Sequence, residues 1–170
     1  MKKILLTAVV ALMAFTANAQ AFLGGEVGVW RNPSANTTNF SIKPEVGYVL
    51  DQNWALGLGV GYEYAYVNGA KANSVNVNPY VRYTFAKLGP VNLFLDGGFD
   101  FETVKLKGVD SESAWGVGVK PGLAVNLTEK LSFVSHIGFA GYRDDDIYGN
   151  DGFGCRLSGN ELTFGLYYNF

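Results

Sequence analysis

Beyond residue 20 the apolar positions recur at every second residue, not at the three- and four-residue spacing of an amphipathic helix, so the chain predicts strands. The clearest segment is 54–67. Trp54, Leu56, Leu58, Val60, Tyr62, Tyr64 and Tyr66 alternate there with Ala55, Gly57, Gly59, Gly61, Glu63, Ala65 and Val67. One face is continuously apolar and the other is small residues with one carboxylate. Val75, Val77, Pro79, Val81, Tyr83 and Phe85 alternate in the same way with Ser74, Asn76, Asn78, Tyr80, Arg82 and Thr84. Eight such strands are predicted, near 22–31, 39–50, 54–67, 74–86, 91–104, 114–127, 131–143 and 160–170.

The links alternate in length. Those at 51–53, 87–90 and 128–130 are short, whereas those at 32–38, 68–73, 105–113 and 144–159 are longer and polar. Short turns at one rim and long loops at the other are the pattern of an antiparallel up-and-down barrel. A weak repeat agrees with it, since Lys43-Pro44-Glu45-Val46, Asn78-Pro79-Tyr80-Val81 and Lys120-Pro121-Gly122-Leu123 each fall early in alternate strands. The prolines are the objection, because proline removes a ladder hydrogen bond from a central strand. Either Pro44, Pro79 and Pro121 sit at bulges, the preferred expectation, or the barrel is open beside them.

The first residues stand apart from this pattern. Lys2 and Lys3, an apolar run from Ile4 to Phe15 and Ala17-Asn18-Ala19 read as a secretory signal peptide over 1–19, leaving a barrel domain over 20–170. Removing two lysines takes the net charge from −2 to −4, and all 22 glycines lie in the remaining chain. That charge leaves no basic surface for nucleic acid. One Cys and one His cannot build an internal disulfide or a His-rich metal centre.

The alternation fits two inverse architectures. A soluble lipid-binding barrel encloses its apolar set, whereas a membrane barrel turns that set to lipid and encloses the polar one. Charged residues here alternate with glycine and alanine, which suits a crowded lumen. Trp54, Tyr64, Tyr66, Phe85, Phe101, Trp115, Phe133, Phe139, Tyr168 and Phe170 fall near strand ends, as interfacial girdles would. The expected class is all-β, an eight-stranded antiparallel up-and-down transmembrane β-barrel.

The C-terminus carries the most specific motif. Thr163-x-Gly165-x-x-Tyr168-x-Phe170 resembles the C-terminal signal through which outer-membrane barrels are recognised for insertion. With the export signal, the eight strands and the loop pattern, the chain resembles the small outer-membrane barrels of the OmpA/OmpX type in their single-domain form. That resemblance implies residence in a bacterial outer membrane. The partners it implies are outer-membrane lipid, the insertion machinery at the last strand and an extracellular ligand at the long loops. A peptidoglycan-binding domain is not expected, because the sequence stops at Phe170.

Parity along the strands points Glu26, Lys43, Glu45, Arg82, Asp96 and Lys120 into the middle of the lumen. Three acids and three bases in a narrow space predict an ion-pair network that plugs the barrel. Glu63, Asp100, Glu102 and Glu161 are expected nearer the long-loop rim, with Asp110, Glu112, Asp144, Asp145, Asp146 and Asp151. The run 144–152 has oxygen ligands near glycine but lacks the alternating acids and final Glu of a calcium loop, so no metal is expected there. His136 is expected as a packed lumen histidine. His136-Ile137-Gly138 has glycine where an eight-stranded lipid A deacylase resembling this barrel would carry its serine nucleophile. Cys155 is expected as an incidental loop thiol.

No catalytic residue and no cofactor are expected. The leading expectation is a structural or interaction role in the envelope. The alternatives are a narrow cation-preferring pore and a soluble periplasmic lipid-binding barrel.

Overall fold

The structure is a computed structural model that describes residues 21–32, 37–67, 70–106, 111–144, 152–157 and 163–170. The expected signal peptide lies outside the described residues. Among the described residues ten strand segments follow in order: β1 (Ala21–Asn32), β2 (Thr37–Val49), β3 (Trp54–Val67), β4 (Ala70–Leu88), β5 (Val91–Leu106), β6 (Glu112–Asn126), β7 (Leu131–His136), β8 (Phe139–Asp144), β9 (Gly152–Arg156) and β10 (Thr163–Asn169). Each pairs antiparallel with its neighbours. β1 pairs with β10 as well as β2, and β5 pairs with β6, so the sheet closes on itself. β7 and β8 together form the seventh stave of the barrel, and β9 and β10 the eighth.

The break in the seventh stave has a one-residue cause. β6 meets β7 with Gly122 opposite His136, but meets β8 with Val119 opposite Ala140. Three residues, 137–139, therefore face two, Lys120 and Pro121, which is a bulge. Pro121 lacks an N–H on that side, while its carbonyl accepts from the Ile137 amide at 3.0 Å. The bulge also inverts parity. Phe139, expected on the outer face with Phe133, instead turns inward and is buried, with the Arg143 guanidinium 4.1 Å from its ring centre.

Pro44 and Pro79 are not at bulges, contrary to expectation. Their strands keep one register on both sides, with only a two-residue gap in the ladder at Lys43 and Pro44 on the β3 side and at Asn78 and Pro79 on the β5 side. One absent donor leaves the flanking pairs to hold the register. At Pro79 the carbonyl deprived of its donor is that of Phe99, and the Asn78 side-chain amide donates to it at 3.1 Å. A bulge does occur on this strand pair, but between Thr84 and Ala86.

The rims also differ from expectation. The segment 68–73 is not a long loop, because β4 begins at Ala70 and Val67 pairs with it. The link 144–159 contains β9, whose pairing with β8 satisfies backbone that sequence alone assigns to a polar loop; Cys155 is an exposed thiol on that strand. At the opposite rim the short turns are fixed by side chains. Asp51 Oδ1 accepts from the amides of Asn53 at 2.7 Å and Trp54 at 2.9 Å, and Thr128 Oγ1 accepts from Leu131 at 2.9 Å.

Outward positions carry Leu56, Leu58, Val60, Val77, Val81, Leu95, Val117, Val119, Phe164 and Leu166, all exposed. Aromatic pairs add to this surface, including Trp54 with Tyr83 and Phe99 with Trp115. Inward positions carry the glycines that make room for large lumen side chains. A Cβ on Gly57 would overlap the Tyr80 ring, and one on Gly122 would overlap Phe94. Small residues on one side of the lumen thus admit aromatic and charged ones from the other. The apolar set faces outward, so the soluble lipid-binding expectation is set aside.

Candidate functional site in the lumen

The inward faces of β1, β2, β4, β5, β6, β7 and β10 converge on a buried polar network. Its strongest element is Arg82, on β4. Nε and Nη2 donate to Asp96 Oδ1 and Oδ2 on β5, both at 2.7 Å, in the bidentate geometry that best matches guanidinium to carboxylate. The guanidinium lies 3.9 Å from the centre of the Phe94 ring and 5.6 Å from that of Tyr167. β10 stands opposite β4 in the barrel, so Arg82 and Tyr167 together cross the lumen.

His136, on β7, links two of the carboxylates. Its Nε2 is 2.8 Å from Asp96 Oδ2, and its Nδ1 is 3.0 Å from Glu26 Oε1 on β1. Thr163 Oγ1, on β10, donates to the same Glu26 oxygen at 2.9 Å. A neutral imidazole has one N–H, so the doubly protonated ring is the form that donates to both carboxylates. The Phe94 ring meets the imidazole edge-on at 5.4 Å.

Glu45, on β2, anchors a second cluster and is only 1% exposed. Its Oε2 accepts from the hydroxyls of Tyr80 at 2.9 Å and Tyr167 at 2.5 Å. Lys43 Nζ stands 3.0 Å from Glu45 Oε1 and donates to Asn78 Oδ1 at 3.3 Å. Lys120, on β6, donates to Asp100 Oδ1 at 2.9 Å.

All six residues expected in the lumen network face the interior, but not as three self-contained pairs. Glu26 is served by His136 and Thr163, and Lys120 by Asp100, which was expected at the rim. With a protonated His136, four cations face Glu26, Glu45, Asp96 and Asp100. Sequence reasoning undervalued His136, Tyr80 and Tyr167. Their signal was a large polar or aromatic side chain at a parity otherwise filled by glycine, serine and asparagine.

The C-terminal motif divides by face. Thr163 and Gly165 point into the barrel beside Glu26, while Tyr168 and Phe170 lie exposed outside, their rings edge-to-face at 5.2 Å. The Phe170 amide donates to the Ala21 carbonyl at 3.1 Å, so the end of the chain joins the seam with β1. Among the acids expected at the rim, Glu63 and Glu102 are half-buried in the lumen and Glu112 is exposed. Asp144 Oδ2 accepts from the Trp115 indole at 2.8 Å. Asp110, Asp145, Asp146, Asp151 and Glu161 lie outside the described residues.

A closed antiparallel barrel with aliphatic and aromatic residues outside and a charged network inside is an integral membrane barrel. The family model described as "Outer membrane protein beta-barrel domain" matches residues 4–170, and the chain belongs to that family. Among solved structures, the N-terminal β-barrel domain of Pseudomonas aeruginosa OprF is similar, with a TM-score of 0.56 at 15% identity over 89% of this chain and 98% of that one. P. aeruginosa OprG gives 0.54 at 10% identity, covering 89% and 96%. Neisserial surface protein A gives 0.52 at 14%, covering 89% and 95%. At these identities the likeness shows the fold alone. None of the curated proteins matches the chain.

Proposed function

We propose that this protein is an exported resident of the bacterial outer membrane, not an enzyme, whose lumen is closed by its ion-pair network and which serves envelope integrity and contacts made by its loops. The observation that carries this reading is the span from Arg82 across to Tyr167, with Asp96, His136 and Glu26 bonded in series beside it. Eight strands leave an interior just wide enough for side chains to fill. A passage for solutes would need these charges to separate. Tyr168 and Phe170, exposed at the last strand, support recognition of that strand by the insertion machinery.

A deletion strain tests the role. Cells lacking the protein are expected to lose resistance to anionic detergent and to regain it with the wild-type gene, while uptake of small sugars and ions stays unchanged. Slower uptake with intact detergent resistance would contradict the proposal and favour a pore.

A further inference from the structure

Above the network, at the end of the lumen away from the short turns, two carboxylates sit together without a cation. Glu63 on β3 is paired across the ladder with Ser74 on β4, and Asn76, two residues along β4, is paired with Glu102 on β5. All four share the inward face of three adjacent strands. Glu63 and Glu102 thus stand on either side of β4, one inward position apart along the barrel wall. Among the described residues neither carboxylate has an ion-pair partner. The neighbouring lumen cations are engaged elsewhere, Lys43 with Glu45 and Asn78, Lys120 with Asp100, and Arg143 against the Phe139 ring.

Two neutral oxygens complete the arrangement. Ser74 is 5% exposed, and its Oγ is buried without a hydrogen-bond partner directly opposite Glu63. The Asn76 Oδ1 is likewise buried and unpartnered. The Asn76 amide lies across its ladder partner Gly61, where a Cβ would collide with it, so the absence of a side chain at Gly61 makes room for it one inward position from Glu63 on β3. Orphaned buried acceptors beside unneutralised carboxylates are costly unless something satisfies them. Two carboxylates with a hydroxyl and an amide oxygen form an all-oxygen donor set for a hard divalent cation of calcium's class, with water filling the remaining positions.

We propose that Glu63, Glu102, Ser74 and Asn76 form a divalent-cation site at the long-loop end of the lumen. The site is separate from the plug, and it neutralises the acids that the plug leaves unpaired. Binding would tie β3, β4 and β5 together at their outer ends.

Calcium titration of the refolded mature barrel in a non-ionic detergent tests this, since lipid phosphates are then absent. The wild type is expected to bind one equivalent, with affinity falling about tenfold or more in Glu63→Gln and in Glu102→Gln, and less in Ser74→Ala. Asp145→Asn with Asp146→Asn is expected to leave affinity unchanged. Without calcium each glutamine variant should melt above wild type, because one of two like charges is gone; with calcium the order should reverse. Absence of saturable binding in the folded wild type would overturn the proposal. So would undiminished binding in the double glutamine variant, or glutamine variants that melt lower in calcium-free buffer.

Discussion

Replacing Arg82 with alanine is expected to destabilise the barrel by about 3–5 kcal/mol, the cost of leaving a buried carboxylate without its cation. Asp96 is 4% exposed and takes two of its three short bonds from this one guanidinium. His136 remains on Asp96 Oδ2, so the carboxylate keeps one charged partner and the loss falls towards the lower end of that range. The same substitution removes the cation stacked on Phe94 and opens space opposite Tyr167. Adding Asp96→Asn should recover part of the loss, because the stranded group is then neutral. Urea unfolding of the refolded barrel, read as a shift of midpoint at constant slope, measures both effects. An unchanged midpoint in Arg82→Ala would show that the pair contributes nothing net.

Glu45→Ala is expected to cost as much, about 3–5 kcal/mol, by a different route. This carboxylate is the shared acceptor for Tyr80 and Tyr167 and the counter-charge of Lys43. Its removal strands two buried hydroxyls and leaves the Lys43 ammonium with only the neutral Asn78 oxygen in place of its counter-charge. Tyr167→Phe and Tyr80→Phe should each cost about 1.5–3 kcal/mol, the range for hydrogen bonds to charged groups. The three changes should not add, since all act through one acceptor. Tyr167→Phe made in a Glu45→Ala background is therefore expected to cost well under its value in wild type. Equal costs in the two backgrounds would mean that the Tyr167 hydroxyl does not depend on Glu45.

Much of this fold is legible because a strand has a side-chain period of two. Leu56 to Tyr62 outward and Gly57 to Gly61 inward fix the faces of β3 without any tertiary information, and Arg82 and Asp96 follow from the same parity. Parity fails where one residue is added. The bulge at 137–139 turns Phe139 inward, and nothing local in Ile137-Gly138 marks it, because its cause lies opposite, at Pro121. Pro44 and Pro79 mislead in the other sense. A sequence shows that a donor is missing but not that the flanking ladder holds, nor that the Asn78 amide supplies a bond to the Phe99 carbonyl.

The lumen is legible as a composition and not as a set of partners. Parity places Glu26, Lys43, Glu45, Arg82, Asp96 and Lys120 inside, but which acid meets which base depends on strand stagger around the closed barrel. Lys120 pairs with Asp96 across the ladder by backbone register, yet its ammonium reaches Asp100, while Arg82 takes Asp96. His136 reaches β1 and β5 from β7, a connection over sequence separations of 110 and 40 residues. Only closure of the barrel brings those strands within reach.

Single-channel recording in a planar bilayer is the most direct test of a closed lumen, comparing the refolded wild type with Arg82→Ala and Glu45→Ala. A network that plugs the barrel predicts a silent wild type and discrete conductance steps in the two variants, where the cross-lumen bonds are cut. Stable, cation-selective steps in the wild type, unchanged by either substitution, would contradict it.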